Sequence, residues 1–229
     1  LPILPPLRAH LNQPDQRSVW GEIVATVQEL NHQWSFAFTT ASIVTGFMII
    51  PYITIYLEAN LRVPNTDIPL LYLAGGAATL ISARWIGVLT DRLGKRLVYE
   101  RLAMLVGIPL FVLTLMPPSP LWVLTIVYVV FFVIVSGRMI PSMAMVTSAA
   151  NPKRRGTFMA ISGAVQSFAM GLAALVGGLL IGRSPDGMVT GYWLTALFGT
   201  LASFASVWLA RQIKLPESSA PQPVKPAAD

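Results

Sequence analysis

The chain is expected to be an all-α membrane protein, a bundle of six transmembrane helices. Three observations predict it. Hydrophobic residues fill 54% of the 229 positions, mean hydropathy is +0.63, and the apolar residues come in runs of about 20, the length a helix needs to cross a bilayer. Charged residues, 11% of the chain, gather between those runs. Lipid offers no partner to exposed backbone groups, so a spanning segment must be a helix or part of a closed barrel. The runs show none of the alternation of a barrel strand.

Composition also excludes. The chain has no cysteine, which removes disulfides, thiolate nucleophiles and cysteine metal sites. Its 16 Lys and Arg against 10 Asp and Glu sit in short loops between apolar runs. There they orient helices in lipid, and nucleic acid is not an expected partner.

The first residues, Leu1 to Leu7, are broken by prolines and carry neither an initiator Met nor a signal-peptide pattern. The chain therefore reads as cut from something longer. Ser18 is placed to cap a helix with apolar Val19, Trp20, Ile23, Val24, Val27 and Leu30 at helical spacing, so residues 1–34 read as a cytoplasmic linker holding an amphipathic helix on the membrane surface. His10 and His32 have no second ligand at metal spacing and read as solvated.

Six apolar segments follow: Ser35 to Leu57, Ile68 to Leu89, Leu97 to Met116, Leu121 to Thr147, Phe158 to Gly182 and Val189 to Ala210. They make residues 35–214 one membrane domain. Arg92, Lys95, Arg96, Lys153, Arg154, Arg155, Arg211 and Lys214 fall on one side, against Arg62 and Arg183 on the other. Basic residues stay inside, so both chain ends are expected in the cytoplasm and the protein in a cell (inner) membrane. Residues 215–229, rich in Pro, Ser and Ala, read as a disordered tail. In the fifth segment Gly163, Ser167, Gly171, Ala174, Gly178 and Gly182, and in the second Gly75, Thr79, Ala83 and Gly87, form stripes of small residues on which a neighbouring backbone can pack.

Polar residues inside the spans are the functional candidates, because lipid penalises them unless they are paired or line water. Arg138 lies about 15 Å from the end of its segment, near mid-bilayer, between Gly137 and Pro141. Two readings stand open: a cation lining a solute cavity, or a structural Arg held by carbonyls and by hydroxyls such as Ser136 or Ser142. Arg84 is expected to pair with Glu100. Gln166, beside Ser162 and Ser167, bonds either a solute or a neighbouring helix. Thr39, Thr45, Tyr52 and Tyr56, with Pro51, give the first segment a polar, kinked face, from which Tyr52 and Thr45 join Arg138 and Gln166 as cavity candidates. No catalytic constellation, cofactor motif or metal site appears, so the protein does not read as an enzyme.

Between the second and third segments stands Gly87-Val88-Leu89-Thr90-Asp91-Arg92-Leu93-Gly94-Lys95-Arg96, with four charges in ten positions. Gly87, Asp91, Arg92, Gly94, Lys95 and Arg96 match the loop signature of the major facilitator superfamily, and Asn151 to Gly156 resembles the basic start of a later span in that family. The chain most resembles the C-terminal half of bacterial sugar and drug efflux members. That resemblance implies a half fold of two inverted three-helix repeats and solute transport by alternating access, with export coupled to protons. It implies a partner as well, an N-terminal six-helix half absent from this chain, and a gating role for the loop, with Asp91 facing a helix N-terminus of that half as a latch. A six-span protein working as a homodimer and a membrane scaffold without transport remain as alternatives.

Overall fold

The computed structural model describes residues 18–215. His10 and the tail from 216 onward lie outside the described residues. Among the described residues six helical segments are long and apolar enough to cross a membrane: Leu30–Ala59, Ile68–Leu93, Lys95–Leu115, Leu121–Ala149, Pro152–Leu180 and Tyr192–Gln212. Each overlies one of the predicted runs. The first begins five residues earlier than hydropathy alone suggests, because Asn31 to Gln33 continue the helix into polar sequence.

A short helix α1 (Val19–Gln28) precedes the spans. The first span is α2 (Leu30–Phe47), a 3-10 turn at Ile50–Tyr52 and α3 (Ile53–Ala59). The second is one helix, α4 (Ile68–Leu93). The third is α5 (Lys95–Leu105) and α6 (Gly107–Leu115), and the fourth α7 (Leu121–Gly137) and α8 (Met139–Ala149). The fifth holds α9 (Arg155–Leu180), and the sixth is α10 (Tyr192–Gln212). Prolines sit at or just after the breaks. Pro51 lies in the 3-10 turn, Pro109 lacks the N–H that would reach the Leu105 carbonyl, and Pro141 lacks the one that would reach Gly137.

The second span packs on the fourth, the first on the fifth and sixth, and the third on the sixth. Two apolar clusters fill the bundle, one around Leu57, Leu71, Leu110 and Phe131, the other around Phe38, Tyr99, Met145 and Phe158. Buried polar residues fall between them: Ser42 and Thr45 on the first span, Arg138 and Ser142 on the fourth, Ser203 and Ser206 on the sixth. The bundle thus has a polar girdle at mid-height.

The stripe pattern holds only in part: Gly178 lies against the Tyr52 hydroxyl and Gly182 against the Thr190 side chain, but approach to a neighbouring helix backbone uses other glycines. Gly163 and Gly171 face open space, whereas a Cβ on Gly177 would lie 2.6 Å from the Met48 carbonyl oxygen and one on Gly199 2.9 Å from that of Thr45. These two fix the first span against the fifth and sixth. Gly75 is in contact as expected, under the Phe132 ring. Small-residue spacing marks where helices can approach, but the opposing side chains decide which glycine is used.

At the other end of the first span, α1 folds back on the start of the fifth. The Arg154 guanidinium donates to the Ala25 carbonyl at 3.1 Å and lies 3.8 Å from Glu29. His32 is fully buried there, not solvated. Its Nδ1–H donates to the Thr26 carbonyl at 2.9 Å, its Nε2 accepts from the Asn151 amide at 3.2 Å, and its ring lies 4.2 Å from that of Phe158. The histidine here joins two chain segments. Val19, Trp20, Val24, Val27 and Leu30 stay exposed on the outer face of this corner.

Candidate functional site

At the level of the polar girdle the fourth span is broken near its centre. Arg138 is the single residue between α7 and α8. It is 1% exposed, enclosed by its own bundle rather than set on an outer face. Its Nη2 donates to the Ser42 carbonyl at 2.6 Å, and the Tyr99 side chain lies beside it. Neither Ser136 nor Ser142 holds it. Among the described residues its Nε and Nη1 are buried without a partner, and so are Ser42 Oγ and Ser162 Oγ. Buried donors are paired in nearly all proteins, so four such atoms around one level need a physical account.

Beside the girdle is a cavity of about 100 Å³ between the first, fourth and fifth spans. Thr39, Ser42, Ser142, Ser162 and Gln166 supply its polar lining, and Met139 and Met143 part of its apolar wall. Gln166 therefore lines the cavity, and Arg138 stands behind it, linked through Ser42. Tyr52 and Thr45 do not line it. The Tyr52 hydroxyl donates to the Ala174 carbonyl at 2.6 Å, over Gly177 and Gly178, and Thr45 is buried with its hydroxyl bonded to the Ala41 carbonyl. Both brace the helices that form the walls. The serines were missed as a group because single serines in apolar runs look like packing residues; only the fold brings 42, 142 and 162 to one level.

The charged stretch between the second and third spans is almost wholly helical. Helix α4 runs to Leu93, α5 starts at Lys95, and the chain turns at Gly94 alone, whose φ of +92° favours glycine. Lys95 Nζ donates to Ser148 Oγ at 2.6 Å and Arg96 to the Ile213 carbonyl at 2.5 Å. These bases tie the turn to the ends of the fourth and sixth spans, beside a cleft of about 1200 Å³ that Asp91, Arg211 and Lys214 also line. Asp91 and Arg92 are exposed, and among the described residues Asp91 makes no hydrogen bond or ion pair. Gly87 likewise has open space where a side chain would be. Glu100 is taken by Arg211, with a 3.0 Å hydrogen bond to Nε, and not by Arg84 as the sequence suggests.

Six membrane-crossing helices around a polar centre, with the signature turn between the second and third, define a multi-pass membrane protein of transporter build. The chain belongs to the Major Facilitator Superfamily, whose family model matches residues 35–228. Its six helices fit one half bundle of that fold. No curated protein matches the chain. Membership carries the general function, movement of a small solute across a membrane.

Proposed function

We propose that this chain is the C-terminal half of a twelve-span transporter that exports a small solute by alternating access in exchange for protons. The observation that carries the reading is the polar centre. Among the described residues, a guanidinium with two unpartnered nitrogens and two unpartnered serine hydroxyls persist inside a membrane bundle next to a cavity. A group left unpaired there is costly, and water or a solute entering the cavity supplies the missing partners. In this account Gln166 and the serines meet the solute, Arg138 supplies charge from behind, Thr45 and Tyr52 hold the wall, and the missing N-terminal half closes the path. Inverted vesicles holding the whole transporter test it. Accumulation of a solute from a panel of sugars and drugs should require an acidic interior and stop with a protonophore. Accumulation that persists with the gradient collapsed contradicts proton coupling.

The proposed topology follows from the basic loops: the turns at Asp91 and Lys153 and both chain ends face the cytoplasm, and residues 1–34 link the halves along the membrane surface. With no native cysteine in the chain, labelling reads this directly. Cysteine placed at Asn65 should react with an impermeant reagent from outside, and cysteine at Leu93 should not. The reverse pattern inverts the topology.

Asp91 completes the proposal as a latch. Its exposure at the end of a span beside Gly87 supports a contact in which it faces a helix N-terminus of the other half. Asp91→Asn keeps size and removes charge, so it should weaken that state by about 0.3 to 2 kcal/mol. Transport should fall at normal expression. Unchanged kinetics leave Asp91 a purely orienting role.

A further inference from the structure

The second span carries a cation that its own bundle does not use. Arg84 is exposed, and among the described residues it has no hydrogen bond or ion pair. The stripe that α4 buries runs through Ile68, Leu71, Gly75, Ile86 and Thr90. Arg84 is nine residues from Gly75, which at 3.6 residues per turn is the opposite side of the helix. It lies about 14 Å from the Leu93 end of α4 and about 24 Å from the Ile68 end. Helix Cα–Cβ bonds tilt toward the N-terminus, here Ile68, so the side chain starts out directed away from the nearer membrane surface. Around it stand Leu80, Ile81, Trp85 and Val88, all exposed and apolar.

A guanidinium at that depth with an apolar frame belongs neither in lipid nor in a water-filled groove of its own making. The frame is that of a helix contact with one charge to be met. We propose that this face of α4 docks against a helix of a different six-helix unit, which presents an Asp or Glu carboxylate at the level of Arg84. This rests on the two-unit reading above and deepens it. A second copy of this chain cannot be that unit. Its described acids, Glu22 and Glu29 before the first span and Glu58, Asp67, Asp91, Glu100 and Asp186, lie outside the spans, near span ends or in connections, and a two-fold contact centred on this face would set Arg84 against Arg84, which is repulsive.

The test places a photo-reactive benzophenone amino acid at Leu80 or Val88, one turn either side of Arg84, in membranes of the native cell, and sequences the cross-linked peptide. An apolar peptide foreign to this chain, with an acid within one turn of the cross-link, is expected. Arg84→Glu should then lower transport roughly ten-fold or more through like-charge repulsion, and Arg84→Glu combined with acid→Arg at the identified position should restore it. Arg84→Lys, which keeps charge, should stay active and shows that variants at this position fold. A foreign peptide without an acid, or an exchange that does not restore transport while Arg84→Lys is active, overturns the ion pair but leaves the two-unit reading. Cross-links to a second copy of this chain overturn both. Cross-links to residues 1–17 or 216–229, or to lipid alone, overturn the docking.

Discussion

Arg138→Met is expected to lower transport roughly ten-fold or more while leaving the melting temperature unchanged or higher. The two halves of that result have separate causes. A buried guanidinium with one partner and two unpartnered nitrogens is expensive to keep, and an apolar side chain of similar length removes the cost without stranding an opposite charge, since among the described residues no acid pairs with it. The Ser42 carbonyl loses one bond but remains in its helix. Transport has no such substitute. A hydrogen bond to a charged group is worth about 1.5 to 3 kcal/mol, a factor of ten or more in binding. Rate and melting measured on the same preparation separate the roles. A stable variant with normal transport makes Arg138 a residue of the bundle's interior only, and an unstable one makes its bond to Ser42 structural.

Gly177→Val should destabilise the protein by about 1 to 3 kcal/mol, the usual range for overpacking a tight contact. The Cβ alone would lie 2.6 Å from the Met48 carbonyl oxygen, which is backbone and has no rotamer to retreat into. The first and fifth spans must separate, and the Tyr52 bond to the Ala174 carbonyl is lost with them. Gly171→Val in this chain is the control, because open space surrounds that position. Denaturation in detergent should show a clear loss for the first and little change for the second. Equal stability of the two variants contradicts the packing described for these spans.

What the sequence made legible was what depends on period and length. Twenty-residue apolar runs specify the six spans because lipid permits few alternatives, and the Gly87 to Arg96 pattern pointed to the family before any contact was known. Contacts across the bundle were less legible. In a linear reading Glu100 is far closer to Arg84 than to Arg211, which is 111 residues away, and only the placement of α5 against α10 gives it to Arg211. His32 looked solvated because its partners are backbone groups of Thr26 and Asn151, which leave no mark in side-chain chemistry. Arg138 was visible as a deep cation. Its enclosure was not, since helix rotation about the Gly137 to Pro141 break decides which way it points.

The central claim is that the cavity between the first, fourth and fifth spans belongs to a water-accessible solute path. Cysteine accessibility at Ser162 in the assembled transporter tests it most directly, because Ser162 is 7% exposed and its hydroxyl has no partner among the described residues. Ser162→Cys should react with a small hydrophilic thiol reagent in membranes and be protected by transported solute, whereas cysteine at the exposed apolar position Leu201 of the sixth span should stay unreactive in lipid. A Ser162→Cys protein that transports normally while its thiol stays inert, with solute and without, contradicts the claim.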